Sequence, residues 1–351
     1  MKTFLVTLVL AVLMLAGAGA YAVWQWWQAP ITPPRTVLLV DRGDNLADVA
    51  VELEQLGALR WPDLWTVAAR LQGVDASIKV GEYGLDIART PGELLAMLVA
   101  GDVRQYNVTL PEGLSLAEAL KILQQDNAVE AVLDGTEDPR LLALISPYDN
   151  PEGLFFPDTY RFTRGQTDLE ILTVAHRRLL EVLDKAWQQR DIGLPYEDAY
   201  QALVMASIVE KETGVAAERR KIAGVFVRRL QKNMRLQTDP TVIYGLGRLY
   251  SGNLRRSHLE DDSNPYNTYR HKGLPPTPIA LPGAAAIEAA LNPAAGSELY
   301  FVARGDGSHQ FSSTLEEHNT AVRRFQLQRR EDYRSSPPPV SASAKGDKGD
   351  G

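Results

Sequence analysis

Residues Ala206–Tyr244 read ASIVEKETGVAAERRKIAGVFVRRLQKNMRLQTDPTVIY. The stretch opens with a carboxylate on an otherwise apolar helix. Glu210 follows LVMASIV, the most apolar run outside the N-terminus. At about 100° per residue, Ala199, Leu203, Ala206 and Glu210 fall within a narrow arc of one helix face. Burial disfavours the charged form of a carboxyl and raises its pKa toward the range of a proton donor at neutral pH. Glu210 is therefore either such a donor or a helix-end residue emerging into solvent beside Lys211. Helix geometry alone leaves both readings open.

Downstream, Val215–Gln231 has helical periodicity, with Ile222, Val225, Phe226 and Leu230 on its apolar side. Arg228, Arg229 and Lys232 suit the C-terminal end of its dipole. RLQTDPTVIYGLG (235–247) reads as a polar loop entering a hydrophobic element. Leu249–Leu274 is polar and turn-rich and contains NPYNTY (264–269). GLPPTPIALPG (273–283) is either an ordered extended loop or a flexible one. A helix over Gly283–Leu291 follows, then a strand over Leu299–Ala303, a turn, a return strand over Gln310–Ser312 and a closing helix over Leu315–Tyr333. Ser335–Gly351, rich in Pro, Ser, Gly and charge, is expected to be disordered.

Upstream, Thr36–Val40 is β-branched and reads as a strand. Helices follow over Leu46–Leu56 and Trp61–Leu71, then a short strand over Lys79–Leu85 and a helix over Thr90–Ala100 capped by Thr90. VDRGDNLADVA (40–50) resembles TLPEGLSLAEAL (109–120): a strand end, a glycine turn, then Leu-Ala-acid entering a helix. Any strand-to-helix turn can look this way, so the pair is either a repeat or a coincidence. The unit Thr36–Leu85 resembles the LysM-like βααβ module of cell-wall proteins, which binds N-acetylglucosamine chains. Asp134–Pro151 reads as a loop. In PEGLFFPDTYRF (151–162), Phe155, Phe156, Tyr160 and Phe162 suit a core, while a sugar-stacking wall is the alternative. Thr167–Arg190 is a long amphipathic helix.

The N-terminus bears on location. Phe4–Val23 is a run of apolar and small residues, FLVTLVLAVLMLAGAGAYAV, long enough for a hydrocarbon core of about 30 Å. Trp24, Trp26 and Trp27 stand where an interfacial aromatic belt would lie. The favoured reading is an uncleaved signal anchor; a cleaved signal peptide with its site in AGAGA is the rival. Either reading puts the rest of the chain outside the cytoplasm. The expected organisation is an anchor over 1–28, a proline-rich linker over 29–35, a LysM-like module over 36–104, a catalytic domain over 105–333 and a tail over 334–351. The fold class is α+β, with a mixed α/β catalytic domain.

The chain has 351 residues, enough for two domains, and a formal net charge of −7, which argues against a nucleic-acid surface. It has no cysteine, so disulfides, thiolate zinc sites and cysteine nucleophiles are excluded. No phosphate-binding glycine loop or GxSxG motif appears, and the five histidines show no usual metal spacing. His309 and His318 are expected on the surface. Ser207 and Lys211 share a helix side, but not at the spacing of a Ser–Lys nucleophile pair. Carboxylate chemistry remains, with Glu210 first and Glu212, Glu218, Asp239 and Asp158 as possible companions. Glu212 points about 200° away from Glu210, so a close dyad is not expected unless the helix ends there. Gln237, Thr238, Asn267, Thr268 and Tyr269 are neutral hydrogen-bonders suited to sugar hydroxyls and acetamido groups.

With EGLFFPDTY, ASIVEKET, RLQTDPTVIYG, YNTY, GLPPTPIALPG and LYFV in that order after a membrane anchor, the chain resembles the YceG-like family of endolytic murein transglycosylases over about Thr36–Phe325. The resemblance implies that Glu210 is the catalytic residue. It implies that Glu212, Gln237, Thr238, Asp239, Tyr266, Asn267 and Thr268 support the site or bind substrate, with no metal or cofactor. It further implies cleavage of the N-acetylmuramic acid–N-acetylglucosamine bond to leave a 1,6-anhydro end. Peptidoglycan synthases are the implied partners, and a single-pass plasma-membrane protein with an extracytoplasmic domain is the implied setting. A hydrolytic muramidase and a non-catalytic wall-binding scaffold are the alternatives.

Overall fold

The computed structural model describes residues 2–33 and 36–327. The expected disordered tail and the end of the closing helix lie outside the described residues. The chain divides into two compact units: Met1–Val108 with Gln124–Ala131 and Arg161–Thr167, and the remainder.

The first unit begins with α1 (Lys2–Gln28). It is long and apolar enough to cross a bilayer, and none of its most apolar window is buried in protein. β1 (Val37–Val40), α2 (Leu46–Gln55), α3 (Pro62–Leu71) and β2 (Gly81–Gly84) follow in βααβ order. β1 and β2 pair antiparallel, Val37 opposite Gly84 and Val40 opposite Gly81. Asn45 caps α2 through the amides of Ala47 and Asp48, and the Asp48 carboxylate returns to the Asn45 amide. α4 (Pro91–Ala100) is boxed in the same way by Thr90 and Glu93. The core gathers Leu38, Leu53, Trp65, Tyr83 and Leu98, with the Trp65 indole donating to the Pro91 carbonyl at 2.9 Å. Glu82 is buried and neutralised by Arg104 (2.8 Å) and Arg164 (2.6 Å).

The three tryptophans divide. Trp24 is exposed, but Trp26 is buried in this core and Trp27 packs on Trp26 and α4. Thus only Trp24 is left free for a lipid-facing belt. The other two pack on groups distant in sequence, which composition could not foretell.

β3 (Gln105–Thr109) pairs with β4 (Thr159–Thr163). Between them lie α5 (Leu116–Gln125) and α6 (Pro139–Leu144). α6 corrects the loop expected over Asp134–Pro151: Asp138 caps it and Pro139 opens it. Gly43 and Gly113, in the turns of the two strand–turn–helix copies, both have positive φ. Phe155, Phe156, Tyr160 and Phe162 are all buried.

The second unit continues with α7 (Asp168–Gln188), α8 (Ala199–Glu212) and α9 (Ala216–Gln231). α10 (Asp239–Leu246), α11 (Arg256–Glu260) and α12 (Ala284–Leu291) follow. α8 is the hub. Every residue from Ala202 to Val209 is buried, and α7, α9, α10 and α12 pack around it. Each fully buried Val, Ile, Leu or Met contributes roughly 1.5–3 kcal/mol, so the helix carrying Glu210 is a rigid post. β5 (Tyr300–Ala303) and β6 (His309–Ser312) form an antiparallel hairpin, and α13 (Leu315–Val322) follows. Arg228 and Arg229 do more than suit a dipole. Arg228 donates to the carbonyls of Ala294 and Glu298, and Arg229 to those of Leu236 and Leu299.

Candidate active site

Glu210 lies in the last turn of α8, with its side chain 6% exposed. The proline-rich loop 273–283 reaches it, and that loop is ordered. Ser207, one turn earlier on α8, accepts from the Ile279 amide at 3.0 Å and donates to the Val204 carbonyl at 2.7 Å. Leu281 is held between Gly113 and Leu114 by backbone bonds of 2.9 and 2.7 Å. The Gly283 amide then donates to Glu210 Oε2 at 3.0 Å.

Glu210 Oε1 lies 3.6 Å from Arg219 Nη2 in an ion pair, and the same nitrogen lies 3.8 Å from Glu112 Oε2. Lys211 donates to the Gly113 carbonyl at 3.0 Å. Ser207 and Lys211 are thus both committed elsewhere and form no nucleophile pair. Burial pushes the Glu210 carboxyl above its ordinary value. The Gly283 amide opposes this, Glu112 adds to it, and Arg219 and Lys211 oppose it.

A cleft of about 1180 Å³ opens nearby within the second unit, walled by Glu118, Glu152, Lys211, Tyr244 and Tyr266 among others. Glu210 itself is not one of its walls; its chain neighbour Lys211 is. Glu152 is buried, accepting from the Leu116 amide at 2.9 Å and from the Tyr244 hydroxyl at 3.3 Å. Burial pushes its carboxyl up to about 7, against those two hydrogen bonds. Tyr266 stands edge-on to Tyr244 at 4.9 Å and shares a 2.9 Å hydrogen bond with Thr277.

Most of the other sequence-selected residues gather in a separate cluster. Thr238 donates its hydroxyl to Glu212 Oε1, and its amide donates to Thr268 Oγ1 at 3.1 Å. The Gln237 amide donates to the Thr268 carbonyl at 3.2 Å. Tyr269 donates to Asp239 Oδ1 at 2.7 Å. The Asn267 amide donates to the carbonyls of His258, Leu259 and Asp261 and accepts from the Tyr269 amide. With both ends engaged and no exposed surface, Asn267 holds a loop. Glu218 is bound by the amide and ring of His309, at 3.0 and 2.8 Å. Asp158 accepts from the Thr159 amide at 2.7 Å. His309 is buried, against the surface position expected of it, while His318 is half-buried and stacks on Tyr300. Among the described residues no group of His, Asp and Glu is arranged to hold a metal ion.

Glu152, Glu112 and Arg219 escaped the sequence reading. Arg219, in the first turn and a half of the helix after Glu210, offered the one available signal: a cation soon after a suspect carboxylate.

Glu212 yields a stability prediction. Desolvation pushes it up to about 7, opposed by Thr238. A folded pKa above the unfolded one means the native state binds the proton more tightly. The group therefore costs nothing below about pH 4.5, and its cost grows until about 7. Glu212→Gln keeps an acceptor for Thr238. It is expected to raise stability at pH 8 by about 2–3 kcal/mol and to leave it unchanged at pH 4. Urea midpoints at the two pH values measure this.

The YceG-like family model matches residues 38–324, and the chain belongs to that family. The endolytic murein transglycosylase of Bacillus subtilis (strain 168) is 40% identical over 174 residues, 50% of this chain and 48% of that protein. That of Streptococcus pneumoniae (strain ATCC BAA-255 / R6) is 27% identical over 367 residues, 92% of this chain and 65% of that protein. The chain thus spans about half to two thirds of the length of these relatives. The crystal structure of a yceG-like protein from Listeria monocytogenes matches 81% of this chain and 97% of its own, at 28% identity and a TM-score of 0.50.

Proposed function

We propose that the protein is a membrane-anchored endolytic lytic transglycosylase acting on peptidoglycan glycan strands. The observation that carries this is Glu210: a buried carboxyl with Oε2 tied to the Gly283 amide at 3.0 Å and Oε1 left to hold a proton, 3.6 Å from Arg219. Oε1 donates that proton to the oxygen between N-acetylmuramic acid and N-acetylglucosamine. The resulting carboxylate is supported by the Gly283 amide and Arg219 while the sugar carries oxocarbenium-like charge. It then takes the proton of the C6 hydroxyl as that oxygen closes on C1, giving the 1,6-anhydro end and restoring the acid. Protons and bonds balance without added water.

In this reading Tyr266 lines the glycan cleft. Glu212, Thr238, Thr268 and Asn267 brace the segments that follow α9, and Gln237 and Asp239 belong to the same brace. The βααβ order of the first unit supports a LysM-like glycan-binding role for it. The apolar α1 supports single-pass anchoring, and an action on cell-wall glycan places the enzyme on the extracytoplasmic side in this reading. Peptidoglycan synthases, which make the strands such an activity would cut, are the proposed partners.

One observation favours hydrolysis instead: a second buried carboxyl, Glu152, faces the cleft, and hydrolases generally use two. Product ends decide. Mass spectrometry of muropeptides is expected to find anhydro ends; reducing ends, one water heavier, assign a muramidase. Intact strands with retained binding assign a scaffold.

A further inference from the structure

The last turn of α1 is built into the first unit. Trp26 is 7% exposed, and its ring lies 5.7 Å from that of Trp61. A Cβ on Gly92 would meet Trp27 Nε1 at 2.7 Å, so α4 packs directly on Trp27. Beyond the helix, Ile31 and Arg89 exchange backbone bonds of 2.9 and 3.2 Å. The surface around this junction is apolar and basic. Trp61 is 54% and Ile87 66% exposed. Arg60 is exposed beside Trp61. Of the nearby acids, Glu93 caps α4 and Asp86 lies 3.8 Å from Arg104, which leaves Asp63.

Length then decides where this surface lies. At 1.5 Å per residue, Phe4–Val23 fills a hydrocarbon core about 30 Å thick, and the headgroup layer adds about 5–7 Å on each side. Trp26, three residues past Val23, is about 4.5 Å further along the axis and so within that layer. A tilted helix brings it nearer the core. Whatever touches the Trp26 ring lies at the same depth.

We infer that Arg60, Trp61, Ile87 and Arg89 form a collar around the end of α1 that sits in the anionic headgroup layer of the bilayer α1 crosses. An exposed indole has an apolar body and a polar edge, which suits that layer. Guanidinium groups pair with lipid phosphates. The collar rests on the anchor reading above. It makes 29–33 a surface strap and holds the first unit on the membrane.

The absence of cysteine allows a direct test with single nitroxide labels. Leu10→Cys, Arg60→Cys and Ile87→Cys are made separately in the full chain, in phosphatidylglycerol–phosphatidylethanolamine vesicles. Trp61 stays in place. Collisions with oxygen and with a water-soluble nickel chelate are measured. The expected result is a severalfold loss of nickel-chelate collisions at all three sites relative to free label. Protection at Leu10 with full nickel access at 60 and 87 overturns the collar and leaves the anchor standing. Full access at Leu10 as well overturns both. Spin–spin broadening at 60 between labelled copies assigns the surface to a second copy and also overturns the collar.

Discussion

Glu210→Gln is expected to lower the rate of glycan cleavage by about a thousandfold while leaving the protein folded, since positioned acid–base catalysis contributes about 10²–10⁴. The amide oxygen can still accept from Gly283, so the loop stays docked. Arg219 keeps Glu112 at 3.8 Å. Removing a carboxyl whose charge is disfavoured by burial does not cost stability at neutral pH. The loss should therefore fall on the chemical step, with circular dichroism and urea midpoint preserved. The sign of the pH dependence follows from the acid coming first. The reactive form is protonated, so kcat/KM falls as pH rises through the raised pKa of Glu210. Two neighbours move that limb in opposite directions. Arg219→Ala removes an opposite charge and shifts it to higher pH; Glu112→Gln removes a like charge and shifts it to lower pH. Steady-state rates against pH on purified glycan strands measure all three variants. Full activity of Glu210→Gln would assign the chemistry to another group.

How much of this was legible in the sequence depends on the range of the interactions. Elements set by local pattern could be read: the Thr90 cap, the β1–β2 unit and α8 all follow from period, turn residues and caps within a few positions. α10 was missed although Asp239-Pro240 is a helix-opening pair, because the polar RLQTDP masked it. Periodicity placed Glu210 on a buried helix face but could not say what met its carboxylate. That answer comes from Gly283, 73 positions away. Glu152 stands in PEGLFFPDTYRF with no local sign of burial. Its burial depends on Leu116 and Tyr244, 36 and 92 positions away. Trp26 read as lipid-facing because nothing local signals its contact with Trp61. Sites assembled from distant loops leave little periodic trace in any one of them.

Such long-range assembly underlies the second large effect, expected from Gly153→Ala. Gly153 has φ +77, where a side chain costs roughly 1–2 kcal/mol. A Cβ there would lie 2.3 Å from Pro278 Cβ, 2.7 Å from its Cγ and 3.2 Å from the Ala280 carbonyl. These are backbone and ring atoms of the loop docked on α8, not the end of a flexible chain. Overpacking of that kind adds about 1–3 kcal/mol, for a total near 3 kcal/mol. The overlap pushes on Pro278 and Ala280, which flank the Ile279–Ser207 bond and lead to the Gly283–Glu210 bond. Activity should therefore fall along with stability. Without the Gly283 amide the Glu210 carboxyl loses its anchor and its pKa climbs further, so the alkaline limb of the rate profile moves up. Pro278→Gly in the same chain removes the two ring contacts but not the strained φ. It is expected to restore about half of the lost stability, less what the added glycine costs in backbone entropy. Urea denaturation of the single and double variants gives the coupling energy. A value near zero would mean that Gly153 and the proline-rich loop do not press on one another, and the effect on Glu210 would then need another route.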